Sequence, residues 1–234
     1  MGSEMCIRDR IKVVKGFMKE GDTIKVRFGV TDHGGAGMRL QTFCEKRFEF
    51  RVLVDPIATY NFQTLPKQPN ISIVPGPPEK WVAVIPSTIT CGETFSLKIK
   101  AEDMWGNPTN QAVKKIIPKT NQPIKNLPEF INIKEGDFAT VVSGLMVKSA
   151  GALEIKLHSS DGSLVATCNP SKVFNSSILK NYWGDLHGQS EETLGTNSAT
   201  DYFAFGRDLA FLDACAHQGN DFQMTDTFSV SYTH

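Results

Sequence analysis

Between Thr23 and Val30 apolar and polar residues alternate, with Ile24, Val26, Phe28 and Val30 set against Thr23, Lys25, Arg27 and Gly29. Successive side chains of an extended chain point to opposite faces, so this period of two predicts a half-buried strand. Phe48, Phe50, Val52 and Val54 repeat it. Together they predict an N-terminal β-domain over 11–68, with Asp32-His33-Gly34-Gly35-Ala36-Gly37 as a turn whose glycines permit positive φ. Prolines then crowd the stretch from Pro66 to Pro78, so 69–78 reads as a stiff, extended linker. Beyond it, Trp81–Ile85 is an apolar run closed by Pro86. Phe95, Leu97, Ile99 and Ala101 alternate with Ser96, Lys98 and Lys100, and Leu153, Ile155 and Leu157 alternate towards His158. Asp161-Gly162 is a hairpin dipeptide. Short strands broken by Gly92, Gly106-Asn107-Pro108, Gly136 and Gly151 predict a small antiparallel sandwich over 79–171.

After Lys172 the period changes. Asn181–His187 reads as a strand and Ser198–Leu209 as a helix, with Ala199, Tyr202, Phe203, Phe205 and Leu209 on its apolar face. Ser198 is the expected N-cap, with Asp201 three residues on. Phe211–Ala216 is a second short apolar run ending at His217. Strand, helix, strand is how a parallel, helix-covered sheet or barrel opens, and it occupies 178–228. The expected fold is therefore mainly β: two antiparallel β-domains, then the truncated start of a parallel α/β barrel.

Composition narrows the function classes. The 25 Lys and Arg balance the 25 Asp and Glu, so no global field favours nucleic acid or an anionic membrane. No apolar run approaches the roughly 20 residues that cross a bilayer, and no secretory apolar segment is read near the start. Cys6, Cys44, Cys91, Cys168 and Cys215 are dispersed without a Cys-x-x-Cys pair, which reads as buried free thiols and leans towards a reducing, cytoplasmic compartment. Residues 1–10 and 229–234 resemble translated sequencing-adapter remnants and are set aside from the fold, so the natural protein is expected to extend both ways.

The candidate chemistry lies at the strand ends. In parallel barrels functional side chains gather at the C-terminal ends of strands. Asp185, His187 and Gln189 end the first strand; His217 ends the second, with Gln218, Asn220 and Asp221 following. Residues i and i+2 share a strand face, so Asp185 and His187 could converge on one ion. Imidazole with carboxylate suits Zn²⁺, Mn²⁺ or Fe²⁺, ions that acidify bound water into a nucleophile. The plainer alternative is an Asp–His hydrogen bond satisfying two polar groups. His158 reads as a structural or surface imidazole. Trp81 and Trp105 read as packing or edge cover, with a sugar platform as the alternative.

Val74-Pro75-Gly76-Pro77-Pro78, Ile85-Pro86-Ser87, Gly92-Glu93 and Ala101-Glu102-Asp103-Met104-Trp105-Gly106-Asn107-Pro108 resemble bacterial immunoglobulin-like modules, in which an Asp-x-x-Gly-Asn-Pro turn follows the second strand. Trp183-Gly184-Asp185-Leu186-His187, Gly188-Gln189-Ser190, Thr196-Asn197-Ser198, Ala210-Phe211-Leu212-Asp213 and His217-Gln218-Gly219-Asn220-Asp221-Phe222 resemble a bacterial domain-of-unknown-function family, DUF 3604. The segments Gln41-Thr42-Phe43 and Phe48-Glu49-Phe50 resemble its N-terminal half. That family is placed with the polymerase-and-histidinol-phosphatase (PHP) superfamily of metal-dependent phosphoesterases. The resemblance implies a PHP-like barrel with His187 and His217 as metal ligands and Asp185 as a ligand or orienting group. Gln189 stands where the superfamily has a second histidine, which implies either a site with fewer ions or an amide that positions substrate, and Ala216 stands where it has aspartate. Glu191 and Glu192 lie in the same loop.

The leading reading is thus a fragment of a metal-dependent hydrolase acting on an unassigned small molecule through metal-bound hydroxide. Asp185 and Gln189 take the catalytic roles, and Asp185, His187 and His217 the metal roles. The metal is expected in the full-length protein, whereas the fragment alone is expected to be inactive and to expose Phe203, Phe205 and Phe211. The alternative is a non-catalytic β-sandwich that binds carbohydrate or serves as a scaffold.

Overall fold

The computed structural model describes residues 10–32, 34–176, 179–193 and 195–218. The adapter-like segments at 1–9 and 229–234, together with His33, Asn220 and Asp221, lie outside the described residues. The chain divides into two compact units, Met1–Gln41 and Thr42–His234. The division falls inside the segment expected as one β-domain over 11–68.

Among its described residues the first unit holds turns and no strand. Asp22 N–H donates to Lys19 O (3.0 Å) and Gly34 N–H to Thr31 O (3.0 Å). Ile24, Val26, Phe28 and Val30 are all exposed, which corrects the strand expected over Thr23–Val30. A period of two marks a chain able to bury one face; it makes a strand only when a neighbouring strand takes its N–H and C=O groups and an apolar layer covers that face.

The second unit opens with β1 (Glu45–Glu49), β2 (Leu53–Val54), β3 (Gln63–Thr64) and β4 (Asn70–Ile73). β1 pairs antiparallel with β4, and β2 with β3. β4 lies within the stretch expected as linker. Prolines bracket it at Pro69 and Pro75 rather than interrupt it, so its amides remain free to pair.

The sandwich follows as β5 (Lys80–Val84), β6 (Thr88–Thr90), β7 (Thr94–Glu102), β8 (Pro108–Thr109), β9 (Lys114–Thr120) and β10 (Ile124–Lys125). It continues through β11 (Ile131–Ile133), β12 (Thr140–Val147), β13 (Gly151–Leu153), β14 (Ile155–Ser159), β15 (Leu164–Thr167) and β16 (Ser171–Phe174). One sheet runs β10-β12-β7-β5 with β8 beside β7, a second runs β11-β9-β14-β15, and a third runs β13-β16-β6. Pairing is antiparallel except for β6 with β16, which is parallel. The sheets share one core in which Leu97, Ile99, Ile116, Leu145, Val147, Ile155, Leu157 and Val173 are all but sealed from solvent.

The alternation of β7 does what it predicts: Phe95, Leu97, Ile99 and Ala101 are buried. The pattern from Leu153 to His158 does not form a single strand. It breaks at Glu154, whose backbone trades hydrogen bonds with Asn121 (Glu154 N–H to Asn121 Oδ1, 2.9 Å), so that β13 and β14 join different sheets. Asp161-Gly162 closes the β14–β15 hairpin, with Gly162 at φ +86 and its N–H donating to Ser159 O (2.9 Å). Trp81 packs on the core with the Lys114 ammonium 5.8 Å from its ring centroid, so it serves packing.

The chain closes with β17 (Gly184–Gly188), α1 (Ala199–Asp208) and β18 (Ala214–His217). β17 and β18 pair in parallel, joined through α1. The Ser198 hydroxyl caps α1 by accepting from Asp201 N–H (3.1 Å). This unit seats on the sandwich. Phe211 packs under the ammonium groups of Lys98 and Lys100, 5.6 and 5.4 Å from its ring centroid, and Trp183 Nε1–H donates to Ser87 Oγ (2.8 Å). Phe211 is therefore buried, against the expectation that it would be exposed; the ammonium groups of two β7 lysines lie over its ring. Phe203 is half-buried and Phe205 exposed.

Candidate functional site

The site is built from backbone pairing upward. Gly188 at the end of β17 stands in register with His217 at the end of β18, and Gln218 N–H donates to Gly188 O (2.8 Å). Tyr202 of α1 lies beneath both. Its hydroxyl donates to Ala216 O (3.1 Å), and its ring meets the His217 ring edge-on at 6.1 Å. A Cβ at Gly188 would sit 1.9 Å from Tyr202 Cζ, so only glycine lets the helix close on this strand. Burial, then the nearby Asp185 charge, pushes the Tyr202 phenol up to about 12, which keeps it protonated as the donor.

At the same strand ends Ser190, Glu192 and His217 form a connected polar cluster. Ser190 is fully buried and His217 nearly so. Ser190 Oγ lies 2.8 Å from His217 Nε2, and the Ser190 hydroxyl also donates to Glu192 Oε2. Glu192 accepts from Ala199 N–H, the first amide of α1, at 3.3 Å (Oε1) and 3.1 Å (Oε2). Burial works against the Glu192 charge, but the Ser190 hydroxyl and the Ala199 amide outweigh it and hold the carboxyl below its usual range. The loop is tight: a Cβ at Gly195 would lie 2.6 Å from Gln189 O.

The expected residues fall into two groups. His217 is part of the buried cluster. Asp185 and His187 are exposed on β17, and Asp185 Oδ1 accepts from the His187 backbone N–H (2.9 Å) rather than orienting an imidazole. Gln189 is half-buried, its Oε1 accepting from Thr193 Oγ1 at 3.5 Å. Glu191 is exposed, whereas Glu192 belongs to the cluster. Beyond the resembling Gly188-Gln189-Ser190 segment nothing in the sequence singles out Ser190, because a lone serine carries no spacing signal. Glu192 six residues ahead of the Ser198 cap was the one available clue, since an acid near a helix N-terminus satisfies its free amides.

A divalent ion needs three or more converging donors. Among the described residues no group of three His, Cys, Asp or Glu side chains lies close enough to hold one. Asp185 is turned to its own strand, and His217 Nε2 is taken by Ser190. The residues present do not by themselves fit a metal centre.

Asp103, in the turn that resembles immunoglobulin-like modules, has a structural task. It is buried and accepts from the backbone N–H groups of Gly76 (3.0 Å), Trp105 (2.8 Å) and Asn107 (3.0 Å). Asn107 in turn receives Cys44 N–H (3.1 Å) and donates to Thr42 O (2.8 Å), tying the start of the second unit to the sandwich.

No protein-family model matches the chain. It is 25% identical over 215 residues to an uncharacterized protein of Chlamydia muridarum, covering 88% of this chain and 34% of that protein. It is also 25% identical over 182 residues to an uncharacterized protein of Chlamydia pneumoniae, covering 74% of this chain and 29% of that protein. The chain spans about a third of the length of the curated relatives it matches. Among solved structures it is similar to the D00-D0 domain of Intimin at TM-score 0.34 and 9% identity, covering 56% of this chain and 66% of that one. It is similar to the ZirS C-terminal domain at TM-score 0.29 and 19% identity, covering 68% and 99%. Likeness at these TM-scores carries no weight for fold or function.

Proposed function

We propose that this chain is a portion of a hydrolase related to the PHP-like metal-dependent phosphoesterases, in which a β-sandwich carries the opening of the catalytic α/β domain. The observation that carries the reading is the parallel β17–α1–β18 unit with the hydrogen-bonded Ser190–Glu192–His217 cluster at its C-terminal strand ends. Ligand sites in α/β folds lie there, and burying the polar side chains of Ser190 and His217 is costly unless each is paired. The residues quoted above as resembling DUF 3604 support it. Because the donors in hand do not close a metal centre, any divalent transition metal would need further donors from a longer protein. This chain contributes positioning: Tyr202 and Gly188 set the strand ends, and Ser190 and Glu192 hold His217.

The test is metal analysis of a longer version matching the length of the Chlamydia relatives. The expected result is stoichiometric divalent transition metal and phosphoesterase turnover, both lost on His187→Ala, with neither detectable in the 234-residue chain. A folded, metal-free longer protein would sink the reading.

A second reading has its own observation. Trp105 is half exposed on a turn held rigid by Asp103, the arrangement of an aromatic carbohydrate contact. Glycan binding by this chain that disappears in Trp105→Ala would favour a non-catalytic binding module.

A further inference from the structure

Ser190 has one hydroxyl hydrogen and two lone pairs. The hydrogen goes to Glu192 Oε2. Glu192 accepts at both oxygens from Ala199 N–H, so its carboxylate is an acceptor throughout. Backbone N–H of Glu192 reaches Ser190 Oγ at 3.4 Å. That leaves the 2.8 Å contact between Ser190 Oγ and His217 Nε2, for which the serine has no hydrogen to give. The imidazole must supply it.

We infer that Glu192 and Ser190 are positioning residues that hold His217 in its Nε2–H form and leave the ring lone pair on Nδ1 at the end of β18. Two consequences follow. Ser190 is not a nucleophile: it is sealed from solvent, and its proton runs to the carboxylate instead of to the histidine, the reverse of the order in hydrolytic triads. A divalent cation or a substrate proton meeting neutral His217 engages Nδ1, because the lone pair is what coordinates or accepts. The tautomer stands on hydrogen-bond geometry; only its use toward a cation or substrate rests on the hydrolase reading above.

The test uses the 234-residue chain labelled with ¹⁵N in its histidines, read by long-range ¹H–¹⁵N correlation at pH about 8, above the imidazole range. The expected spectrum shows His217 with Nε2 protonated and Nδ1 bare. Ser190→Ala should raise the Nδ1–H fraction of that ring about tenfold, the scale of one charge-assisted hydrogen bond. Ser190→Thr, which keeps the hydroxyl, should preserve the wild-type pattern. In Glu192→Gln the side-chain amide can donate to Ser190, freeing the serine hydrogen for Nε2, and the ring should turn to Nδ1–H. A wild-type His217 that is Nδ1–H, or an even mixture of forms, overturns the inference. If Ser190→Ala fails to fold, the wild-type spectrum and Glu192→Gln decide. A metal-free longer protein with the Nε2–H form intact overturns the hydrolase reading and leaves this one standing.

Discussion

In the sandwich, β7 sends Phe95, Leu97, Ile99 and Ala101 into a core shared by three sheets. Among the described residues of the β17–α1–β18 unit the buried hydrophobic ones are Ala199 and Phe211. The rest is held by directed bonds: Trp183 N–H to Asp213 Oδ2 (2.9 Å), Tyr202 to Ala216 O (3.1 Å) and the contact between Ser190 Oγ and His217 Nε2 (2.8 Å). Apolar burial is non-directional and grows with area, about 25 cal/mol per Å², so it stabilises without placing any one atom. A hydrogen bond contributes only about 1 kcal/mol net but fixes which atom faces which. The first region holds the structure up. The second aims side chains.

The sharpest way to break this comparison is Leu97→Ala. It should remove about 3 kcal/mol, because a fully buried leucine leaves a cavity, and urea unfolding should lose stability across the whole second unit. A loss under about 1 kcal/mol would mean the sandwich core is not the main support. Next comes Gly188→Ala, where the new methyl meets the Tyr202 ring; about 2 kcal/mol is expected, confined to the strand-end unit. Hydrogen exchange should speed up at β17 and β18 amides while β7 amides hold, and Tyr202→Ala in the same chain should relieve the clash. Uniform acceleration in both regions would erase the distinction.

Ser198→Ala should cost about 1 kcal/mol by uncapping α1, visible as faster exchange in its first turn with the sandwich untouched. The smallest effect concerns acid. Burial works against the Asp103 charge, but the Asn107 amide and the backbone N–H groups of Gly76, Asn107 and Trp105 outweigh it and hold the carboxyl below its usual range. A carboxyl depressed in the folded state stabilises above its unfolded value and loses that contribution as pH falls through the folded one. Stability should therefore slip below pH about 4, and Asp103→Asn should flatten that slope.

Legibility followed the same divide. Alternation revealed β7 because half of its residues meet one continuous apolar core. The Ser198 cap and α1 were legible because capping is local, carried by residues three apart. The same alternation at Ile24–Val30 forms no strand, since a period states what a segment could bury and says nothing of whether a partner covers it. Phe211 looked exposed from the sequence because the lysines that cover it lie more than a hundred residues earlier. Of the candidate site, His217 and the strand ends were legible. Ser190 and Glu192 were not, because their roles exist only through contacts with His217 and Ala199.

The sequence by itself determined the mainly β character, the Asp161-Gly162 hairpin and the strand–helix–strand close, since each rests on residues within a turn or two of one another. Only the tertiary structure decided that β13 and β14 part at Glu154 and that the proline-rich stretch contains β4. Tertiary structure also decided that Asp185 serves its own strand while Ser190 and Glu192 engage His217. Those outcomes turn on which distant groups share a few ångströms of buried space. A hydrogen bond or a ring contact forms across that gap whatever the spacing along the chain.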